Sequence, residues 1–276
     1  MAKLDDSGAQ ARVRGETLSI DWPMPGVALV TFERAAERNA LSLAMLDELE
    51  QTLAIVGKAR VAVLILTGSG PAFCAGADLK MLADPESEFF RSPTALCDKF
   101  LMPLARLFNA FEQMPFPIIA AVNGFALGGG CEMALSADFR ILSKTAVLGL
   151  PEVCLGAISG AGGVQKLIRH VGRSKALEWI LLGSRITAEE AERRGLACEI
   201  VEPEQLLDRA KALAEKLVAS GPLALAQAKA CIYVAEDADL ETATRFGVNA
   251  LTNLAATPEW REGVTAFVEK RPPRFR

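Results

Sequence analysis

The sequence predicts an α/β protein that is built from stacked β-β-α turns and ends in a helical C-terminal region. Continuous apolar runs of strand length occur at 61–68 and 116–124, and such runs are typical of strands that are covered on both faces. Each run leads into a glycine-rich loop and then into the start of a helix. After residue 163 the pattern is almost wholly helical, which indicates a set of helices that follows the α/β core.

The first half of the chain alternates between strand and helix patterns. Residues 18–33 predict a β-hairpin that turns at 24–26. Residues 41–56 carry apolar side chains at helical spacing, and Ser42 is positioned as the N-cap of that helix. The other elements predicted in this half are a helix over 95–114 and a strand over 138–143.

The second half carries helical patterns at 174–183, 187–195 and 204–220. Thr187 stands before the second of these helices with Glu190 three residues later, which is the spacing of a capping box. We therefore divide the chain into three parts. They are a flexible N-terminal tail at 1–17, a β-β-α core at 18–205 and a C-terminal helical oligomerisation region at 206–276.

Composition and charge argue against several classes of function. The 276 residues carry a net charge of −4, and the 30 basic residues are scattered, so nucleic acid is not expected as a partner. The longest apolar runs have the length of strands, so no membrane span is predicted. Residues 1–17 lack the apolar core of a secretory signal, and the six cysteines form no CxxC pair. These features predict reduced thiols and a cytoplasmic location.

The chain contains a single histidine, His170. A nucleophile triad that depends on histidine is therefore not expected, and neither is a metal site of several histidines within one chain. A lone histidine on a helix is typical of a surface position. Acid–base chemistry is left mainly to the carboxylates.

Three consecutive glycines, 128–130, stand directly before Cys131 and Glu132. This stretch lacks the lysine and hydroxyl of a phosphate-binding loop, and it does not fit the GxGxxG pattern. Two interpretations remain. The glycines either expose backbone N–H groups at a helix N-terminus, which favours negative charge, or let the helix start pack closely against a strand.

A second loop, 71–80, offers a similar set of backbone donors. The small residues Ala75, Gly76 and Ala77 precede a helix start at Asp78. Two such loops after two adjacent buried strands would place two N–H donors on one oxygen. A thioester oxygen that gains negative charge as an enolate requires this arrangement.

Two acids stand in apolar, glycine-rich surroundings, Glu132 and Glu152. Each has a structural interpretation: Glu132 stabilises the first turn of a helix, and Glu152 caps a helix or forms a buried ion pair. Apolar surroundings also raise the pKa of a carboxyl group and keep it available as an acid or base near neutral pH. The sequence alone leaves both interpretations open.

Five motifs carry a resemblance to a known family, and they lie in order at 27–42, 62–82, 116–141, 149–163 and 257–275. They include the stretches AFCAGADLK, ALGGGCE and LPEV. With them the chain resembles the enoyl-CoA hydratase/isomerase (crotonase) family over nearly its whole length. The resemblance implies a spiral of ββα turns with a C-terminal helical region, assembled as a homotrimer or a dimer of trimers.

The resemblance also implies a set of site residues. Two backbone N–H groups, of Ala77 and Gly129, bind the thioester oxygen, and Glu132 and Glu152 act on the acyl chain. The residues implied in binding coenzyme A and lining the pocket are Glu37, Arg38, Asn39, Ala40, Ala75, Asp78, Leu79, Lys80, Gly128, Pro151 and Gly160. Lys270 is implied to reach the adenosine phosphates.

The implied activity is that of an enoyl-CoA hydratase, which adds water to a 2-enoyl-CoA to give a 3-hydroxyacyl-CoA. No metal or redox cofactor is expected, because coenzyme A is part of the substrate. The alternatives are an enoyl-CoA isomerase, a carnitinyl-CoA dehydratase-like enzyme, a hydratase for branched or aromatic acyl groups, and a non-catalytic acyl-CoA-binding protein. Leu150 stands before Pro151 and Glu152, at a position where hydratases often have glutamine. This difference bears on acyl-chain preference.

Overall fold

Two sheets and a series of α-helices form the protein, whose computed structural model describes residues 12–275. The strands are β1 (Val13–Arg14), β2 (Leu18–Met24), β3 (Val27–Phe32), β4 (Val63–Gly68), β5 (Ala72–Cys74), β6 (Ile118–Val122), β7 (Phe125–Leu127), β8 (Phe139–Ser143), β9 (Val147–Gly149), β10 (Ile186–Thr187) and β11 (Glu199–Val201). The helices of the first half are α1 (Leu43–Lys58), α2 (Leu79–Ala83), α3 (Glu88–Arg91), α4 (Pro93–Leu96), α5 (Met102–Gln113) and α6 (Gly129–Ser136). Those of the second half are α7 (Gly163–Leu181), α8 (Ala188–Arg193), α9 (Leu206–Val218), α10 (Pro222–Asp237), α11 (Leu240–Ala255) and α12 (Pro258–Val268).

The two sheets share the chain in a regular alternation. The larger sheet has the strand order β1-β2-β3-β4-β6-β8-β11, and the smaller has the order β10-β9-β7-β5. Strands β3, β4, β6, β8 and β11 run parallel, whereas β1, β2 and β3 are antiparallel neighbours. Each of the pairs β4–β5, β6–β7 and β8–β9 places its first strand in the larger sheet and its second in the smaller. The chain therefore winds as a spiral of β-β-α turns, and the predicted α/β class is confirmed.

Burial on both faces explains why the central strands are apolar throughout. All five residues of β6 and five of the six residues of β4 are buried. One hydrophobic cluster fills the space between the two sheets and the helices α1, α5 and α6. A second cluster lies on the other face of the larger sheet, beneath α9. These layers account for the uninterrupted apolar runs in the sequence.

The predicted division at residue 206 cuts off a helix that belongs to the core. Helix α9 begins at Leu206, and its residues Ala210 and Ala214 are buried in one cluster with Ile65 and Ile119 of the larger sheet. Small side chains let the helix lie close against the strands. The core in the structure therefore extends to the end of α9, and α10, α11 and α12 form the helical region that follows.

The predicted tail, 1–17, lies mostly outside the described residues. Within 12–17 the chain is part of the fold, because β1 pairs with β2. Glu48 on α1 explains this ordering: its carboxylate accepts hydrogen bonds from the N–H and the hydroxyl of Thr17 at 3.0 and 2.7 Å. Thr17 is buried as a result.

Hydroxyl side chains cap two of the predicted helices, and a π-helical turn lies within a third. The Ser42 hydroxyl accepts from the Met45 N–H at the start of α1, and the Thr187 hydroxyl accepts from the Glu190 N–H at the start of α8. The helix predicted over 95–114 is present without a break, as α4, a π-helical turn at Cys97–Leu101 and α5 in direct succession.

By length and composition, no single helix among residues 12–275 could cross a membrane. One bent pair, Pro203–Val218 with Pro222–Asp237 at 106°, meets both criteria together. The six cysteines carry free thiols.

Candidate active site

The two glycine-rich loops meet because they follow neighbouring parallel strands. Strand β5 ends at Cys74, strand β7 ends at Leu127, and the two pair in parallel. Both following loops therefore leave the smaller sheet at the same edge. A Cβ atom placed on Gly129 would lie 3.8 Å from the Cα of Gly76, so the space between the two backbones is no wider than a methyl group.

Each loop presents one backbone N–H group that has no hydrogen-bond partner among residues 12–275. Ala77 forms an isolated parallel bridge with Leu41, in which the Leu41 N–H donates to the Gly76 carbonyl at 2.8 Å and the Asp78 N–H donates to the Leu41 carbonyl at 2.9 Å. That bonding pattern leaves the Ala77 N–H unused. Gly129 is the first residue of α6, where N–H groups have no partner inside the helix. Within residues 12–275 no group accepts a hydrogen bond from either N–H.

Close packing explains a different glycine of the triplet. A Cβ atom on Gly130 would overlap the carbonyl oxygen of Cys74, so only glycine fits there. Gly128 has φ 51° and ψ −126°, a conformation that L residues rarely adopt, and a Cβ atom on it would lie 3.2 Å from Glu152 Oε1. The triplet thus serves both purposes that the sequence left open, packing at Gly130 and an exposed N–H at Gly129.

A cavity of about 330 Å³ joins the two loops to both glutamates. Its lining comprises Ala75, Gly76, Ala77, Leu79, Leu82, Leu96, Phe100, Leu101, Leu104, Leu127, Gly128, Gly129, Glu132, Pro151, Glu152, Leu155, Ala157, Ile158 and Gly160. A larger cavity of about 600 Å³ lies between α1 and α5, but it contains none of the predicted site residues. The residues predicted to act on the thioester and the acyl chain, Ala77, Gly129, Glu132 and Glu152, therefore share the smaller cavity.

Glu132 is held by three donors on one oxygen. Its Oε1 accepts hydrogen bonds from the hydroxyl of Ser159 at 2.7 Å and from the N–H groups of Ala161 and Gly163 at 2.8 Å each. These bonds fix the orientation of a side chain whose residue is only 2% exposed. In the part of the chain that the structure describes, no group donates to Oε2. The cavity side of the carboxylate is therefore available as a proton acceptor.

Glu152 lies in the 3-10 helix Pro151–Leu155, which follows β9. Its Oε2 is buried and has no hydrogen-bond partner among the described residues. Burial raises the pKa of Glu152 above its ordinary value, and the nearby charge of Glu132 raises it further, although the Ser159 hydroxyl acts in the opposite direction. A carboxyl group in such surroundings keeps its proton to higher pH and is suited to act as an acid.

The structure brings some of the predicted binding residues to the cavity. Ala75, Leu79, Gly128, Pro151 and Gly160 line it. The segment that contains Glu37, Arg38 and Ala40 does not line it but lies beside it, because the Ala75 N–H donates to the Arg38 carbonyl at 3.0 Å. Asn39 is fully buried, and its side-chain amide donates to the carbonyls of Ser69 and Ala72.

Three other predicted residues lie outside the cavity. Asp78 caps α2 and forms an ion pair with Arg34 at 3.1 Å, so its contacts in this chain are structural. Lys80 is exposed beside it on α2. Lys270 follows α12 and is not among the residues that line the cavity.

The donors that orient Glu132 were not predicted from the sequence. They belong to the stretch GAISGAGG, 156–163, whose small residues let backbone N–H groups approach a carboxylate. The run of small residues around a single serine is the signal that could have indicated this role. The aromatic and leucine side chains of the cavity wall, Phe100 and Leu104, look like ordinary core residues in the sequence. Leu150 is buried in the core and does not line the cavity, so the departure at this position does not shape the acyl pocket directly.

His170 is partly buried rather than on the surface, and it lies apart from the cavity. It lines a small polar cavity with Arg140 and Lys166. Burial lowers the pKa of His170 to about 4, and the charge of Arg140 lowers it as well, so the imidazole is neutral near pH 7. Among the residues that the structure describes, no group of three or more His, Cys, Asp or Glu side chains could hold a metal ion.

Comparisons with known proteins show which family the chain is similar to. The family model described as "Enoyl-CoA hydratase/isomerase" matches residues 24–276. The chain is 40% identical to the short-chain-enoyl-CoA hydratase of Clostridium acetobutylicum over 89% of its length and 92% of that protein. It is 39% identical to the 2,3-dehydroadipyl-CoA hydratase of Escherichia coli over 91% of its length and 95% of that protein.

A solved structure gives the same result at the level of the fold. The crystal structure of an enoyl-CoA hydratase from Bacillus anthracis superimposes with a TM-score of 0.88 at 40% identity, covering 94% of this chain and 99% of that one. The sequence match and the structural match both extend over nearly the whole chain. The chain belongs to the enoyl-CoA hydratase/isomerase family.

Proposed function

We propose that the protein is an enoyl-CoA hydratase, which adds water across the double bond of a 2-enoyl-CoA to form a 3-hydroxyacyl-CoA. The observation that carries the proposal is the presence of both glutamates in one cavity with two unpartnered backbone N–H groups. The names of the related proteins from Clostridium acetobutylicum and Bacillus anthracis support the same activity.

In the proposed reaction the thioester oxygen accepts hydrogen bonds from the N–H groups of Ala77 and Gly129. The second donor stands at the N-terminus of α6, where the helix dipole also favours negative charge. Both interactions strengthen as the oxygen gains charge in the transition state, and removal of one such donor typically lowers the rate about 100- to 1000-fold.

The two glutamates divide the proton transfers between them. Glu132 Oε2 accepts a proton from the water whose oxygen forms the new bond to C3. The electrons of the double bond move into the enolate, and Glu152 then donates its proton to C2. A proton passes from Glu132 to Glu152 to restore the starting state. The raised pKa of Glu152 supports its assignment as the donor.

The reaction as proposed needs no metal or redox cofactor, because the two donors polarise the thioester and coenzyme A is part of the substrate. The proposal includes a cytoplasmic location. It also includes binding of coenzyme A along 37–40 and 75–80, and assembly as a homotrimer or a dimer of trimers.

Crotonyl-CoA hydration by Glu132→Gln and Glu152→Gln variants tests the proposal. Each substitution removes one proton-transfer group at nearly unchanged volume, so kcat is expected to fall by about 100- to 10,000-fold. Circular dichroism and melting temperature establish that each variant is folded. Glu50→Gln, which changes an exposed glutamate on α1, is the control and is expected to keep the wild-type rate. Wild-type rates in both active-site variants would refute the mechanism.

A further inference from the structure

Among residues 12–275, none that lines the cavity has a cationic side chain. Apart from Glu132 and Glu152, every residue that lines it has an aliphatic or aromatic side chain or is glycine. The side chains that close its interior are apolar and almost fully buried: Phe100 is 1% exposed and Leu104 is 3% exposed. An acyl group that reaches Phe100 and Leu104 therefore meets only hydrocarbon side chains beyond the two reacting carboxylates.

From this lining we infer that the site selects acyl chains that end in a methyl group, rejects chains that end in a carboxylate, and limits their length through Phe100. The inference rests on the proposed function, because it concerns the acyl group of the same substrate. It distinguishes this chain from its relative in Escherichia coli, which is named for a substrate with a terminal carboxylate.

The apolar lining disfavours acyl chains that end in a carboxylate. A carboxylate at the end of the acyl chain would lose its hydration without gaining a cation or a cluster of donors. It would also share a small apolar space with two other carboxyl groups. The loss from leaving a buried charge unpaired corresponds to at least about a 100-fold lower kcat/KM.

The position of Phe100 sets the limit on acyl-chain length. Leu104 Cδ2 lies 3.8 Å from a Cβ position on Gly129, and Leu101 Cδ2 lies 3.5 Å from one on Gly160. These two leucines are therefore next to the reacting groups. Phe100 instead has Phe89 of α3 behind it, with 6.3 Å between the ring centroids. In the inferred binding mode, an acyl chain that extends past Leu101 and Leu104 ends against the Phe100 ring, which lines the cavity and is almost fully buried.

A matched pair of six-carbon substrates tests the discrimination against a terminal carboxylate. 2-Hexenoyl-CoA and 2,3-dehydroadipyl-CoA differ only in the terminal group, methyl or carboxylate. We expect kcat/KM to be at least about 100-fold higher for hexenoyl-CoA. The Leu96→Lys variant adds a cation at a half-buried lining position and is expected to narrow this ratio at least about tenfold. Equal kcat/KM values for the two substrates in the wild-type enzyme would overturn the inference.

Variants of Phe100 test whether this side chain limits the length of the acyl group. Phe100→Leu shortens the side chain at low risk to folding, and Phe100→Ala opens the space as far as Phe89. We expect the ratio of kcat/KM for 2-octenoyl-CoA to that for crotonyl-CoA to rise about tenfold or more. The control is Phe108→Leu, which changes a fully buried phenylalanine of α5 that does not line the cavity. An unchanged ratio in a folded Phe100→Leu variant, or the same rise in the control, would refute this role.

Binding measurements separate this inference from the proposed function. Hexanoyl-CoA and adipoyl-CoA are saturated analogues that bind without reacting, and titration calorimetry reports the Kd of each. If none of the enoyl-CoA substrates reacted, the proposed function would fail, whereas at least about 100-fold tighter binding of hexanoyl-CoA would still support the inferred selectivity. Equal Kd values would contradict it whatever the catalytic result.

Discussion

The two glutamates of the cavity differ in how their oxygens are engaged. One oxygen of Glu132 is saturated by Ser159, Ala161 and Gly163, whereas Oε2 of Glu152 is buried without a partner. Burial of an unsatisfied carboxyl group costs free energy. Proteins keep such groups where their reactivity is used, at the expense of stability.

The stability of the Glu152→Gln variant should therefore depend on pH relative to the wild type. The folded-state pKa of Glu152 is raised, so the unfolded chain ionises first as pH rises. The wild type then loses stability as pH rises from the ordinary range of a glutamate through the folded-state pKa, and a glutamine does not titrate. We expect the Tm of the variant to exceed that of the wild type by more at pH 8 than at pH 4.

Calorimetric melting at both pH values measures this difference. The exposed Glu50→Gln variant is the control and should show no such change between the two pH values. The Tm difference between the Glu152→Gln variant and the wild type would be equal at pH 4 and pH 8 only if ionisation of Glu152 did not destabilise the folded protein. An equal difference would therefore contradict the prediction.

At the scale of elements, one lysine joins the C-terminal helices to the α/β core. Lys229 on α10 donates to the carbonyls of Phe111 and Phe116 at 2.8 and 3.1 Å and to Asp138 Oδ2 at 2.8 Å. Asp138 also accepts from the hydroxyl of Tyr233 at 3.0 Å. Burial lowers the pKa of Lys229, and the charge of Asp138 partly offsets this shift. Lys229 is buried, Asp138 is half-buried, and both are hydrogen-bonded, so loss of one member leaves the other uncompensated.

The Lys229→Met variant is expected to lose about 3 kcal/mol of unfolding free energy, because the half-buried Asp138 and two carbonyls then lose their shared partner. Urea denaturation measures the loss. Lys144→Met removes an exposed ion pair with Glu202, which solvent screens, and should change stability far less. In the double variant Lys229→Met with Asp138→Asn, part of the loss should be recovered. Equal losses in the two single variants would contradict the anchoring role.

The elements that the sequence predicts well are those with a strong local signal. Strands β4 and β6 are apolar throughout, and the caps of α1 and α8 use the hydroxyl side chains that the pattern indicates. The short strands of the smaller sheet carry no such signal. Strand β5 has three residues and β10 has two, which is too few to show an alternation of apolar and polar side chains. The π-helical turn at 97–101 also has no visible signal, and tertiary packing decides it.

At the scale of the whole molecule, α10, α11 and α12 expose large apolar side chains. Examples are Phe267 at 85% and Val268 at 73% exposure on α12. Exposed apolar surface of this kind is typical of an interface with another chain. It supports the proposed assembly as a homotrimer or a dimer of trimers.

The Phe267→Glu variant should weaken that assembly, because a charge in an apolar interface must be desolvated. Sedimentation equilibrium is expected to show a smaller mean mass than for the wild type at the same micromolar concentration. The control is Phe90→Glu on α3, at a phenylalanine that is 60% exposed. A monomeric wild-type protein, or equal masses for the wild type and the Phe267→Glu variant, would contradict this use of α12.

The candidate site as a whole was only partly predictable from residue types. Glu132, Glu152 and the two glycine-rich loops have visible signals, since acids in apolar stretches and glycine runs are unusual. Their convergence depends on the parallel pairing of β5 with β7 and on the return of the chain through β9, which no local pattern encodes. The resemblance to a family supplied that convergence, whereas the orienting role of Ser159 and the apolar wall emerged only from the folded chain.

The π-helical turn between α4 and α5 adds a consequence for how the acyl pocket can vary. A π turn holds one more residue than an α-helical turn, so it is equivalent to a single-residue insertion in a helix. Deletion of one residue within 97–101 would restore regular α-helical winding, while the segments on either side keep roughly their orientation, because the wide turn absorbs the extra residue. The residue of this turn that faces the cavity would then change without any substitution in the wall. Changes of length by one residue, and not only exchanges of side chains, are therefore a route by which relatives with this helix could acquire different acyl specificities.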